Sequence, residues 1–195
     1  MLDRKPQILD VASELLQTRS FTSFSYQDLS DRLGISKASV HHHFASKEDL
    51  LLALTARYRA GQRKKLEELD ARSDRPIERL EAYLAWMTEL ASGGHKICPL
   101  GALQAEFNVI PEAVRADILE LFDYGKRWLS GVLTDGRARG EMEFEGSPTE
   151  RAVFILSAVQ GALQIARATG PKEFTAVTGQ IRLALKPRTQ KVSPS

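Results

Sequence analysis

Apolar residues recur along this chain at three- and four-residue spacing with no convincing period-two run, so almost every segment reads as helix. The stretch KPQILDVASELLQTR puts Ile8, Val11, Ala12, Leu15 and Leu16 on a first helix, and Phe21 and Phe24 anchor the loop after it. Leu29 and Leu33 stand at i, i+4 on a short second helix, Gly34 supplies a stop, and Ser36 is placed to cap a third. Ser46 caps a long helix from about Lys47 to about Asp70, which RSDRP breaks. PIERLEAYLAWMTELAS follows, with Leu80, Tyr83, Leu84, Met87 and Leu90 on one side. Pro99 and Pro111 open two more helices, and two further segments, SPTERAVFILSAVQGALQIARATG and PKEFTAVTGQIRLALK, each start with Pro near the first turn. The pattern predicts an all-α fold: a three-helix reader with a helix-turn-helix at residues 1–46, a larger helical domain over 47–187, and a disordered tail at 188–195.

The run His41, His42, His43 invites a metal reading that helical geometry opposes. Successive residues point about 100° apart, so the three imidazoles splay over more than half the circumference and cannot converge on one ion. The same rotation puts Val40 and Phe44 on one side and Ala38, Ser39 and His42 on the other. A short helix with that outward face, entered through a Gly turn, matches the geometry of a helix that enters the DNA major groove, where small side chains near its start reach base edges. Lys47, in the first turn of the next helix, is placed for a phosphate.

Charge adds a qualification. The chain of 195 residues has a net charge of only +2. Residues 1–65 hold 11 Lys and Arg against 7 Asp and Glu, yet residues 1–50 hold 6 against 7, the excess coming from Arg57, Arg59, Arg63, Lys64 and Lys65. DNA binding would therefore rest on a few placed contacts and on dimerisation. The N-terminus lacks a secretory h-region and no run approaches the length of a membrane span, which together with a single cysteine points to the cytoplasm and to no membrane partner.

The stretch ILDVASELLQTRSFTSFSYQDLSDRLGISKASVHHHFASKEDLLLAL resembles the signature of the TetR family of transcriptional regulators over about the first quarter of the chain. The resemblance implies that Lys37, Ala38, Ser39, His41 and His42 approach bases or flanking phosphates, and that Tyr26, Gln27, His43 and Lys47 contact phosphates. His41 stands where the family usually has Tyr. The resemblance further implies a homodimer that binds a palindromic double-stranded DNA operator and leaves it when a small-molecule inducer enters the C-terminal domain, with no cofactor and no metal.

In that larger domain Trp86, Met87, Phe107, Phe122, Tyr124 and Trp128 are candidate pocket residues, set against a plain core role for each. Cys98 precedes Pro99 at an expected helix start, where amides, Lys96 and His95 would lower a thiol pKa, and an electrophile sensor at Cys98 is the alternative switch to a non-covalent ligand. The segment 149–168 is apolar nearly all round, and Val153, Leu156, Val159 and Leu163 are its expected dimer contacts. A helical enzyme is the rival class, and the sequence has no His-Glu pair at i, i+4, no phosphate-cradling Gly loop and no nucleophile elbow. A third reading is a helical protein that binds DNA or a partner without sequence specificity.

Overall fold

The computed structural model describes residues 4–94 and 96–186, so the tail expected at 188–195 lies outside the described residues. Nine helices and no strand occur among them: α1 (Lys5–Arg19), α2 (Tyr26–Leu33), α3 (Lys37–His43), α4 (Lys47–Arg72), α5 (Pro76–Ala91), α6 (Pro99–Ala105), α7 (Glu112–Ala138), α8 (Pro148–Thr169) and α9 (Lys172–Leu183). Their ends follow the caps read from the chain. Pro stands in the first turn of α1, α5, α6 and α8, where its missing N–H costs no intrahelical bond. Ser147 and Glu150 close a capping box at the start of α8.

Packing divides the chain into two units. The first joins residues up to Lys65 with Gly93–Tyr124; the second joins Leu66–Ser92 with the chain from Gly125 onward. In the first unit Ile8, Leu15 and Leu16 of α1, Leu29 of α2, Val40 and Phe44 around α3, and Leu50 and Leu54 of α4 share one core with Ile97, Leu103, Ile110, Val114 and Ile118. Burying each such side chain stabilises the fold by about 1.5–3 kcal/mol against leaving it in water.

In the second unit α8 packs on α9, and α5 packs on both. Phe174 of α9 is fully buried, Arg182 of α9 donates to the Glu81 carboxylate of α5 at 2.8 Å, and the Trp128 indole N–H donates to Asp70 at 3.0 Å. The inward stripe of α8 is Ala152, Ile155, Val159, Ala162, Leu163 and Ala166. Val159 and Leu163, expected at a dimer contact, are therefore core residues of their own chain, Leu156 is half-buried, and only Val153 of the four faces outward. A helix apolar on every side gives no pattern that marks which stripe turns inward. The outer face instead carries Val153, Phe154 at 55 % exposure and Ile165 at 49 %, with Leu183 exposed on α9. By length and composition α8 would also pass as a membrane span, contrary to the reading that no run reaches that length; a third of its apolar window is buried inside the second unit.

A candidate nucleic-acid interface

The turn between α2 and α3 is built from local chemistry. Ser25 caps α2 in a capping box, its N–H donating to Asp28 Oδ2 at 2.8 Å while its Oγ accepts from the helix amides. Gly34 ends α2 at φ 62° and ψ 33°, a left-handed conformation that a Cβ would strain, and the Ile35 N–H returns to the Ser30 carbonyl at 3.2 Å. Ser36 then caps α3, its Oγ accepting the Ser39 N–H at 3.1 Å, and Ser46 caps α4 through Asp49. Seven residues of helix are thus held between two fixed caps.

What holds α3 down is its inner side. Val40 is fully buried and Phe44 nearly so, whereas Lys37, Ala38, His41 and His42 are exposed and Ser39 and His43 are half-buried. The His41 ring lies 4.7 Å from that of Tyr26, and its Nδ1 is 3.3 Å from the Ala45 carbonyl; the His42 and His43 rings are 5.5 Å apart. The three imidazoles point to different surroundings, as the rotation per residue requires. Gln27 is exposed on α2, its amide donating to Asp31 at 2.7 Å.

Two residues expected to reach phosphates are turned inward. Tyr26 is 5 % exposed, and its hydroxyl donates to the carbonyls of Phe44, at 3.0 Å, and of Ser46. Desolvation, with Asp49 adding to it, pushes its pKa up to about 12. The Lys47 ammonium donates to the carbonyls of Phe21, at 2.7 Å, and Phe24, and lies 4.4 and 4.6 Å from the two ring centroids. Desolvation lowers its pKa against the opposing pull of Glu106 and Asp28. Both side chains brace the α3–α4 corner and the loop after α1. The sequence marks them as polar and near the turn, and cannot show that the carbonyls they serve belong to residues up to 26 positions away.

Glu106, which no sequence pattern singled out, reaches the same loop from the end of α6. Its carboxylate accepts the Phe21 N–H at 2.6 Å, the Thr22 N–H at 3.0 Å and the Thr22 hydroxyl. Burial raises its pKa, and the hydrogen bonds from Thr22 and Phe21 outweigh that and hold it below the usual carboxylate value. A carboxylate depressed in the native state adds stability above its unfolded pKa of about 4.5, and that stability is lost as pH falls through the native value. Glu106→Gln will therefore lower the urea midpoint near neutral pH, and the gap between variant and wild type will close on acidification below about pH 4.5. A gap that stayed constant down to acid pH would show that the carboxylate charge is not what holds the loop.

The expected pocket residues separate by unit. Trp86, Met87 and Trp128 belong to the second, where Tyr83 lies 6.2 Å from Trp86 and 5.7 Å from Trp128. Phe107, Phe122, Tyr124 and Cys98 belong to the first. Phe107 and Phe122, with Gln104, Ile118 and Leu119, line an open apolar groove of about 360 Å³, and Tyr124 lies under the Arg63 guanidinium at 5.2 Å. Cys98 is the N-cap of α6 with Pro99 after it, as read from the chain. Its pKa moves the opposite way to that reading: desolvation raises it, and the hydrogen bonds from the Gly101 and Leu100 amides offset only part of the rise. The neighbouring Tyr58 hydroxyl donates to Ser13 at 2.8 Å and is itself pushed up to about 12 by burial.

Residues 8–54 match the family described as bacterial regulatory proteins, tetR family, and residues 76–180 match the tetracyclin repressor-like C-terminal domain. A TetR family transcriptional regulator from Agrobacterium tumefaciens has 33 % sequence identity and a TM-score of 0.89, over 94 % of this chain and 97 % of that one. A TetR transcriptional regulator from Legionella pneumophila has 27 % identity and a TM-score of 0.85, over 95 % and 99 %. The HTH-type transcriptional repressor DhaR of Mycobacterium sp. (strain GP1) is 24 % identical over 194 residues, 97 % of this chain and 96 % of that protein. With both halves of its fold accounted for, the chain belongs to the TetR family and is a DNA-binding transcriptional regulator.

Proposed function

We propose that the protein is a cytoplasmic, homodimeric repressor that reads a palindromic operator through α3 and is released by a small apolar inducer. The observation that carries this reading is the outward face of α3: Lys37, Ala38 and His42 exposed and Ser39 beside them, on a helix fixed from behind by Val40 and Phe44. Ala38 is small enough to touch a thymine methyl, and Ser39 and His42 offer hydrogen bonds to base edges. His41, His43 and Gln27 take the flanking phosphates. Tyr26 and Lys47 serve as positioning residues. The apolar outer face of α8, with Leu183 of α9, forms the dimer contact that brings two readers to half-sites one DNA turn apart. The groove of Phe107, Phe122, Ile118 and Leu119 suits an apolar inducer. The Cys98 thiol, raised rather than lowered, does not favour covalent sensing. No cofactor or catalytic step is required.

Selection of duplexes from a random library by the full-length protein tests the reading. It will recover inverted repeats, bound roughly a thousandfold or more above random duplex. His42→Ala will then erode discrimination at one or two base pairs of each half-site, by about 1–3 kcal/mol each, with little change on random DNA. Recovery of no preferred sequence would sink the reading in favour of non-specific binding.

A further inference from the structure

We infer that the loop from Ser20 to Phe24 is a strained latch closed by Glu106, and that an occupant of the groove between α6 and α7 loosens the reader by drawing Glu106 off that loop. The inference rests on the readings of α3 as the DNA-facing helix and of the groove as the inducer site, and it names the residue that joins them.

Ser20 ends α1 at φ 87° and ψ 160°, a region that suits glycine and strains a residue carrying a Cβ. Among the described residues it alone, glycines aside, has a positive φ. Such a conformation persists only where its surroundings impose it. Here opposite charges do so on one short stretch. The Glu106 carboxylate accepts the Phe21 N–H at 2.6 Å, the Thr22 N–H at 3.0 Å and the Thr22 hydroxyl. The Lys47 ammonium donates to the Phe21 carbonyl at 2.7 Å and to that of Phe24. Phe21 thus has its N–H held from the end of α6 and its carbonyl held by the first residue of α4, the helix that follows α3. Without Glu106 the strain at Ser20 favours a relaxed loop, and the brace that Lys47 gives the α3–α4 corner shifts with it.

The same end of α6 is one wall of the groove. Gln104 and Phe107, which flank Glu106 in the chain, line it together with Ile118, Leu119 and Phe122 of α7. The α7 wall is the fixed one. Asp117 accepts from the Thr55 hydroxyl and pairs with Arg59 at 3.0 Å, and Glu120 pairs with the same guanidinium, so two carboxylates hold α7 to α4. By contrast α6 has 7 residues against 27 in α7, and it closes in a turn at Glu106, whose carbonyl accepts the Val109 N–H at 2.9 Å. An occupant that parts the walls therefore moves the end of α6, and Glu106 with it. Its contacts with Gln104 and Phe107 differ between the latched and released states, which is what lets it shift the balance between them.

The test places an occupant of known identity. In full-length Leu119→Cys/Cys98→Ala protein, benzyl methanethiosulfonate attaches a benzyl group in the groove as a mixed disulfide, with methanesulfinate leaving. Methyl methanethiosulfonate attaches a methyl group and controls for size. Fluorescence anisotropy reads affinity for the duplex recovered by selection. The benzyl label is expected to weaken binding by at least about fivefold and the methyl label by less than about twofold, since allosteric couplings commonly begin near the larger figure. Glu106→Ala added to this protein should weaken unlabelled binding by about fivefold as well, and should shrink the further benzyl effect to less than about twofold. Hydrogen exchange with Glu106 intact decides the matter if that variant does not fold: the benzyl label should speed exchange of the Phe21 and Thr22 amides by at least about fivefold, with α8 unchanged. An undiminished benzyl effect in a folded Glu106→Ala protein, or weakened DNA binding with exchange at Phe21 and Thr22 unchanged, would overturn the inference and leave the groove as the inducer site. Equal losses with the two labels, or unlabelled binding untouched by Glu106→Ala, would also overturn it. If neither label altered binding to the duplex, the groove reading itself would fall, and the inference with it.

Discussion

Ile165→Glu on the outer face of α8 will turn the proposed dimer into a monomer at micromolar concentration and weaken operator binding by a hundredfold or more. An unpaired carboxylate enclosed by an apolar interface costs about 3 kcal/mol or more, which is roughly that factor in the association constant. The monomer will keep its helical content, because Ile165 is 49 % exposed and a carboxylate there can reach water without leaving the helix. Val159→Glu and Leu163→Glu differ in kind. Those side chains are 2 % and 4 % exposed inside the second unit, so a charge there unfolds the unit before any question of dimerisation arises. Sedimentation and far-UV circular dichroism separate the two outcomes. An Ile165→Glu protein that remained dimeric, or a Val159→Glu protein that remained folded, would sink this division of the α8 surface.

Lys47→Met is the second large effect. It removes two charge-assisted hydrogen bonds to the Phe21 and Phe24 carbonyls and leaves both acceptors short of a partner, at a cost of about 2–4 kcal/mol. Affinity for operator and for random duplex will fall together because the loop after α1 and the α3–α4 corner lose their brace. The salt dependence tells this from loss of a phosphate contact. If Lys47 met a phosphate, the slope of log affinity against log salt would shrink by about one; with an internal role it stays at the wild-type value. A reduced slope in a variant of undiminished stability would return Lys47 to the DNA surface.

The short-range devices are legible because each rests on residues close together in the chain: Gly34 as the stop of α2, Ser36 and Ser46 as caps, and Pro at the helix starts, whereas the Ser25–Asp28 box at the start of α2 emerges only in the structure. The inward and outward sides of α3 were legible because Val40 and Phe44 alternate with small and polar neighbours at helical spacing. On α8 that contrast is missing, and Val159 and Leu163, which the sequence offers as dimer contacts, turn into the core of their own chain. Long-range partners were not legible at all. Glu106 meets its loop across 84 and 85 positions, and the carbonyls that hold Tyr26 and Lys47 carry no side-chain signature. The place of Cys98 at the start of α6 is legible from Pro99, but its pKa is set chiefly by how much water the fold removes, against which the nearby Leu100 and Gly101 amides work only in part.

The first unit is drawn from two stretches of chain with residues 66–92 between them, and this orders events on the ribosome. By the time α4 has been synthesised, every side chain proposed to meet DNA already exists, yet the wall formed by Ile97, Leu103, Ile110, Val114 and Ile118 has still to be translated. A nascent chain at that stage exposes apolar flanks of α1 and α4 to the cytosol, where unfinished cores invite aggregation or chaperone capture. The segment made first therefore completes its buried wall only once the chain as far as Ile118 has been translated.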